Sequence, residues 1–275
     1  MSISIQNYKS KMNIRSFYKE NDKFLEDSYN SILIVYFNKK AHNVIISSDI
    51  IWFSRSCSEF LRKMISKELN IEMSSIALSA SHTHGSPNPD ENIVNPSPSP
   101  KFNSYLKNEI VKLFKKAIKG KLIKVKLTHK SFENKDFSIS RRRKALKLKP
   151  SFSYEMQSLP NKRNLIDTNI DVVEFKNEYK IICIIIRLTC HPVAAPKNVY
   201  GSDFIGYLRK FFRSKNIDIF FMQGFSGDIR PKLIYKEKTL KDVLIRAIIG
   251  IRFRKSEIND AKNIGKIIYN TILKN

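Results

Sequence analysis

Cysteine is scarce in this sequence. There are three, Cys57, Cys183 and Cys190, an odd number with no paired spacing. That excludes a disulfide framework and fits a reducing compartment. Cys190 directly precedes His191, which leaves a metal or redox role open. With no second cysteine nearby, a buried thiol is the simpler reading. Long apolar runs are also missing. The longest, Ile181 to Ile186, is six residues, too short to span a bilayer. The N-terminal stretch has no continuous apolar core and is dotted with charges, so it does not read as a signal peptide. These absences predict a cytoplasmic protein, soluble or peripheral to a membrane.

Acidic residues are few: 25 Asp and Glu stand against 50 Lys and Arg, for a formal charge of +25. Such a charge favours anionic partners, whether nucleic acid, acidic lipid surface or acidic glycan. A basic compositional bias spread over a solvated surface produces the same number. Zinc-finger spacing, aromatic RNA-binding strand motifs and heptad-linked basic regions are all missing, so no specific nucleic acid is expected.

What is present is an ordinary globular mix, 42% hydrophobic and 27% charged over 275 residues. Strands are predicted at 31–37, 43–48, 76–80, 122–128 and 219–223, with a hairpin of 170–175 and 181–188. Helical spacing covers 56–69, 102–119, 207–215 and 261–274. Five prolines between Pro87 and Pro100 predict an irregular, exposed loop. Arg141-Arg142-Arg143-Lys144 opens a very basic segment that runs to about Lys149. The stretch 240–255 is basic and amphipathic; it suits either an anionic membrane surface or packing on the core. Strands alternate with helices without repeat or linker. The expected fold is one α/β domain over residues 1–275, a mixed sheet with flanking helices.

The chain has five histidines. His82 and His84 lie in one Ser-His-Thr-His-Gly run after a predicted strand, and strand spacing turns positions i and i+2 to one side. His191 also follows a strand, with Pro192 after it. Neutral imidazole is the commonest metal-ligand side chain. A catalytic zinc takes three protein ligands and an open position. It brings the pKa of water from about 15.7 to roughly 7, which suits attack on an amide or ester carbonyl. A hydrogen-bonded turn accounts for the His-x-His run equally well. Asp228 in Gly227-Asp228 reads as a metal ligand or, more simply, as a turn cap. Asp203 reads as a helix N-cap. Arg141 is a candidate for holding a substrate oxygen, or one residue of a solvated basic run.

Taken in order, the motifs resemble the N-terminal catalytic domain of the neutral/alkaline, non-lysosomal ceramidases and their short bacterial relatives. A THTHSGP-like motif is matched by Ser81-His82-Thr83-His84-Gly85-Ser86-Pro87, and an INR segment by Ile139-Ser140-Arg141. His191-Pro192 follows a strand; then come Ser202-Asp203-Phe204-Ile205-Gly206-Tyr207 and Gly227-Asp228-Ile229-Arg230-Pro231. The order and spacing agree from about residue 27 to 232. The resemblance implies a zinc-dependent amidase acting on sphingolipid-type or other lipid amides. His82 and His191 would ligate Zn2+, His84 would steady the carbonyl or its tetrahedral intermediate, and Arg141 would contact substrate. The substrate would be a ceramide-like lipid amide or an N-acylated amino sugar; apart from the resemblance, the stretch 240–255 and the charge point to peripheral contact with an anionic membrane. Family enzymes complete the zinc site with a Glu and a Tyr well downstream of the last motif. Tyr235, Glu237, Glu257 and Tyr269 are of the right types, but nothing aligns them, and Asp49, Asp203 and Asp228 are the other candidates. The INR asparagine is Ser140 here, and no C-terminal immunoglobulin-like domain is present. The alternative is a catalytically impaired protein on the same fold that holds an anionic lipid or glycan.

Overall fold

A computed structural model describes residues 2–90, 99–147 and 153–274. Most of the proline-rich loop and the end of the basic segment lie outside the described residues.

Thirteen strands and five α-helices are described. An eight-stranded sheet runs in the order β12-β10-β9-β6-β1-β3-β4-β5. Its strands are β1 (Ile3–Lys11), β3 (Tyr29–Phe37), β4 (Lys40–Ser48), β5 (Ile76–Ala80), β6 (Ile123–Glu133), β9 (Asn169–Lys176), β10 (Ile181–Leu188) and β12 (Asp218–Gln223). The pairs β4/β5 and β10/β12 are parallel; the other neighbours are antiparallel. Strands β2 (Lys23–Phe24) and β11 (Val199–Tyr200) pair separately. A third sheet orders β13-β7-β8, from β7 (Ser138–Lys147), β8 (Ser153–Asn161) and β13 (Ile229–Pro231). The expected mixed α/β fold is what forms.

Alternation decides which side chains go where. On β3, Ile32 and Ile34 face a core built with helices α1 (Arg55–Leu69) and α2 (Pro100–Ala117). The odd residues Leu33 and Val35 face a second core with Ile5, Val125, Cys183 and Phe220. A third core joins β9, β10 and β12 to α3 (Asp203–Arg213) and α5 (Ile258–Lys274). The two ends of the sheet meet. Ser47 Oγ on β4 accepts from Phe221 N on β12 at 3.1 Å and donates to Phe221 O at 2.9 Å. Ser79 Oγ on β5 donates to the same carbonyl at 3.2 Å. The sheet therefore curls round the second core, with helices packed outside. This brings the C-terminal ends of all four parallel-paired strands to one rim, the place where open α/β sheets bind ligands.

The structure adds to the sequence reading at three places. The N-terminal stretch is a central strand, β1, with Ile5 and Gln6 buried, Lys9 half-buried and Lys11 exposed. The basic segment beginning at Arg141 lies within β7, because alternate residues face inward: Ala145 is buried while Arg142 and Lys144 are exposed. Asp203 is not the N-cap of α3; Ser202 is, and Asp203 takes a left-handed φ of 53° as the first helical residue.

Candidate metal centre

The residues 81–86 leave β5 at the curled rim. His82 N donates to Ile50 O, and His82 adopts φ 65°, so the chain turns left-handed there. Thr83, fully buried, donates to Gly201 O at 2.7 Å and accepts from Gly85 N at 3.1 Å. His82 and His84 thus converge through a pinned left-handed turn rather than through strand pleat. Asn and His tolerate that conformation better than most residues, so the strain is modest.

His191 arrives from the other side of the rim. Its backbone N–H donates to Ile229 O at 3.0 Å. The loop that carries it is held from α3: Ala194 N and Ala195 N donate to the Asp203 carboxylate at 3.2 and 2.8 Å. The acid read from sequence as a cap is therefore a clamp on the histidine loop. Burial pushes its pKa up to about 6, opposed by those N–H donors and that of Phe204.

The side chains of His82, His84 and His191 meet, with one ring nitrogen of each within 4.8 Å of the other two. His82 Nδ1 lies 2.7 Å from Ile51 O, and His191 Nδ1 lies 3.1 Å from Ser226 O. A carbonyl only accepts, so each Nδ1 carries the proton and each Nε2 is left as a lone pair. This carbonyl-oriented imidazole is the usual outer support of a metal ligand. His84 Nε2 is 3.0 Å from His191 Nε2. Ligand nitrogens about 2.05 Å from a tetrahedral zinc stand roughly 3.3 Å apart, and three imidazole donors within 4.8 Å of one another are a set of the kind zinc takes.

Electrostatics favour the neutral rings of His84 and His191. Desolvation, helped by the charges of His82, His84 and Arg141, lowers the His191 pKa to about 4. Desolvation first, then His82 and Arg141, also lowers that of His84. Neutral imidazole is the form that binds metal.

Arg141 lies beside this centre. Its guanidinium donates to Gly227 O at 2.7 Å and its backbone N–H to Asp228 O at 2.7 Å, which fixes it beside the histidines whose titration it shifts. Asp228 is not part of the histidine cluster, and the remaining candidates are engaged elsewhere. Asp49 is fully buried against Arg209, and Asp203 holds the loop. Tyr235 donates to Asp242, Glu237 pairs with Arg246, and Glu257 lies 3.7 Å from Arg254. Tyr269 packs on Phe211 and Phe212. Among the described residues, the three histidines are the single cluster with metal-ligand spacing. The cysteines are all free and buried, so Cys190 is a core thiol. Sequence reasoning missed Gln223, whose Nε2 donates to Cys190 O at 3.0 Å and to Ser226 Oγ, bracketing the loop that orients His191.

No protein-family profile matches the chain, and no curated protein matches its sequence. Solved structures do match in three dimensions, two ceramidases among them. One is a ceramidase complexed with C2, at a TM-score of 0.73; the other is neutral ceramidase from Pseudomonas aeruginosa, at 0.71. The chain has a neutral-ceramidase-like fold. Each ceramidase is 14% identical to the chain; each match covers 100% of this chain and 44% of the ceramidase. The chain thus spans less than half the length of the ceramidases it matches.

Proposed function

We propose that the chain is a zinc-dependent amidohydrolase of the ceramidase type, cleaving the N-acyl amide of a ceramide-like lipid or an N-acylated amino sugar. The observation that carries this reading is the convergence of two carbonyl-oriented Nε2 lone pairs, from His82 and His191, beside His84. Bound zinc supplies carbonyl polarisation and a nucleophile available at neutral pH.

The chain's own residues set the geometry. His82 and His191 hold the metal through Nε2, and their tautomers are fixed by Ile51 and Ser226. His84 is more exposed, and among the described residues no carbonyl orients its ring. It is free to turn an N–H toward the oxygen on which charge develops. Arg141, anchored on Gly227 O, keeps its remaining N–H groups for the same oxygen. Phe225, 91% exposed next to Ser226, and Trp52, whose ring lies 6.2 Å from His82, offer apolar surface to an acyl chain.

The test joins metal analysis to turnover of a fluorogenic ceramide and of N-acyl sugars. The expected result is one zinc per chain, lost in His82→Ala and His191→Ala, with hydrolysis of at least one substrate. Protein that takes up no zinc, and whose behaviour those substitutions leave unchanged, sinks the reading. Zinc uptake without turnover of any N-acyl substrate favours the binding protein instead.

A further inference from the structure

Helix α4 (Leu240–Ile249) presents its apolar side to solvent. Leu240, Val243, Leu244 and Ile248 are 77, 52, 58 and 63% exposed, and no residue of the helix is buried. Their spacing places them in one stripe. The helix is nonetheless firmly made. Thr239 and Asp242 form a reciprocal capping box at its start, and Arg143 of β7 donates to Ile249 O and, at 3.0 Å, to Ile251 O at its end. An apolar stripe held outward on a fixed helix marks a contact surface.

The charge beside it names the partner. Where α4 meets β7 a cavity of about 610 Å³ opens, lined by Arg142, Lys144, Lys162 and Arg163 with Met156 and Ile251. Among the described residues none of these four cations has a carboxylate within ion-pair distance. Met156 is 53% exposed, and Leu165, two residues past Arg163, is fully exposed. Lys236, Lys238 and Lys241 flank the start of the helix.

We propose that α4 and this basic cavity form a docking surface for an anionic lipid bilayer: the stripe enters the headgroup boundary while the cavity receives lipid phosphates. Apolar stripe and unpaired cations together are the composition of an interfacial helix. A nucleic acid would use the cations and leave the stripe in water. A second copy would bring a charge of +25 against +25, which repels. The surface does not depend on the histidine centre, and its test needs no substrate.

The experiment is co-sedimentation of the full chain with vesicles of phosphatidylcholine alone and of phosphatidylcholine mixed with phosphatidylglycerol. The chain is expected to partition onto the mixed vesicles only, and to come off as salt rises. Leu244→Glu with Ile248→Glu is expected to weaken partitioning by about tenfold or more, by removing the inserted surface. Arg142→Glu with Arg163→Glu is expected to weaken it and flatten the salt dependence. All four side chains are outside the core, and an unchanged thermal melt checks that the variants fold. Three results each overturn the proposal: no partition onto mixed vesicles, partition unchanged by L244E/I248E, or a solution dimer that the same pair of substitutions dissolves.

Discussion

Gly85 and Gly201 face each other in an isolated antiparallel bridge, with Gly201 N–H donating to Gly85 O at 2.9 Å. The bridge ties the loop carrying His82 and His84 to the turn before α3, whose first residue clamps the His191 loop. Two distant segments of chain are therefore set against each other with no side chain between them. A Cβ on Gly85 would lie 2.4 Å from Gly201 O, and one on Gly201 would lie 2.6 Å from Glu26 O at a φ of 119°.

Gly201→Ala is accordingly expected to cost about 2–4 kcal/mol, as a backbone displacement plus a strained φ. Gly85→Ala should lower zinc affinity as well as stability, since the same loop carries His82. Gly227→Ala is the control: a Cβ there meets nothing within 4 Å, and its cost should stay within about 0.5 kcal/mol. Urea melts and zinc titration of the three variants check this.

The three histidines are expected to separate by role. His82→Ala and His191→Ala should weaken zinc by about a hundredfold or more, because each removes an oriented ligand. His84→Ala should weaken it by less than about tenfold and still lower kcat by about 10² or more, as loss of a donor to the developing charge does. Competition against a fluorescent zinc chelator, set beside steady-state kinetics, reads both. Equal loss of zinc in all three variants would make His84 a third ligand.

Asp49 and Arg209 form an ion pair with side chains 0 and 3% exposed. Desolvation raises the Asp49 pKa, and the guanidinium opposes it. Arg209→Met alone should cost about 3–5 kcal/mol, because it strands a buried carboxylate. Adding Asp49→Leu should restore most of that, leaving the Tyr29 N–H without its acceptor at about 1–2 kcal/mol. A double-mutant cycle that shows less than about 1 kcal/mol of coupling would contradict this.

Burial pushes the Cys57 thiol up to about 11, and burial with Asp218 pushes Cys183 up as well. A raised thiol pKa favours the protonated folded state. Stability is therefore full below the unfolded value of about 8.5 and falls as pH rises through 11, by about 3 kcal/mol for Cys57. Denaturant melts across that window check the slope, which Cys57→Ala should reduce. At pH 8 these thiols should ignore a disulfide reagent until the chain unfolds.

The long periodic elements were legible because one face of each is buried against a core. Helix α1 begins at Arg55 behind Ser54, whose hydroxyl accepts from Cys57 N at 3.1 Å, and the hairpin of β9 and β10 runs as read. Strand β1 was not legible: Lys9 and Lys11 carry charge on a strand that is central in the sheet, and each finds a carboxylate, Asp218 and Asp27. Tertiary pairing overrode local composition there. Arg141 was found as a candidate, but not the strand that aims it. The meeting of His82, His84 and His191 was legible as residue type and order. What aims their rings was not, because Ile51 and Ser226 act through backbone carbonyls, which any residue would supply.

Strand β1 stands between β3 and β6, and its bonds to β6 run only from Ile3–Val125 to Ile5–Ile123. The two halves of the large sheet are joined along that short seam and, at the curl, through Ser47 and Ser79. A chain leaving the ribosome makes β1 and its hairpin neighbours early, then holds one edge of β1 bare until β6 emerges more than a hundred residues later. That seam is where amide hydrogens should exchange by partial opening before the cores on either side let go. It also divides the molecule into an early half that carries His82 and His84 and a late half that carries His191. A metal bridging them would act as a stitch between two folding units.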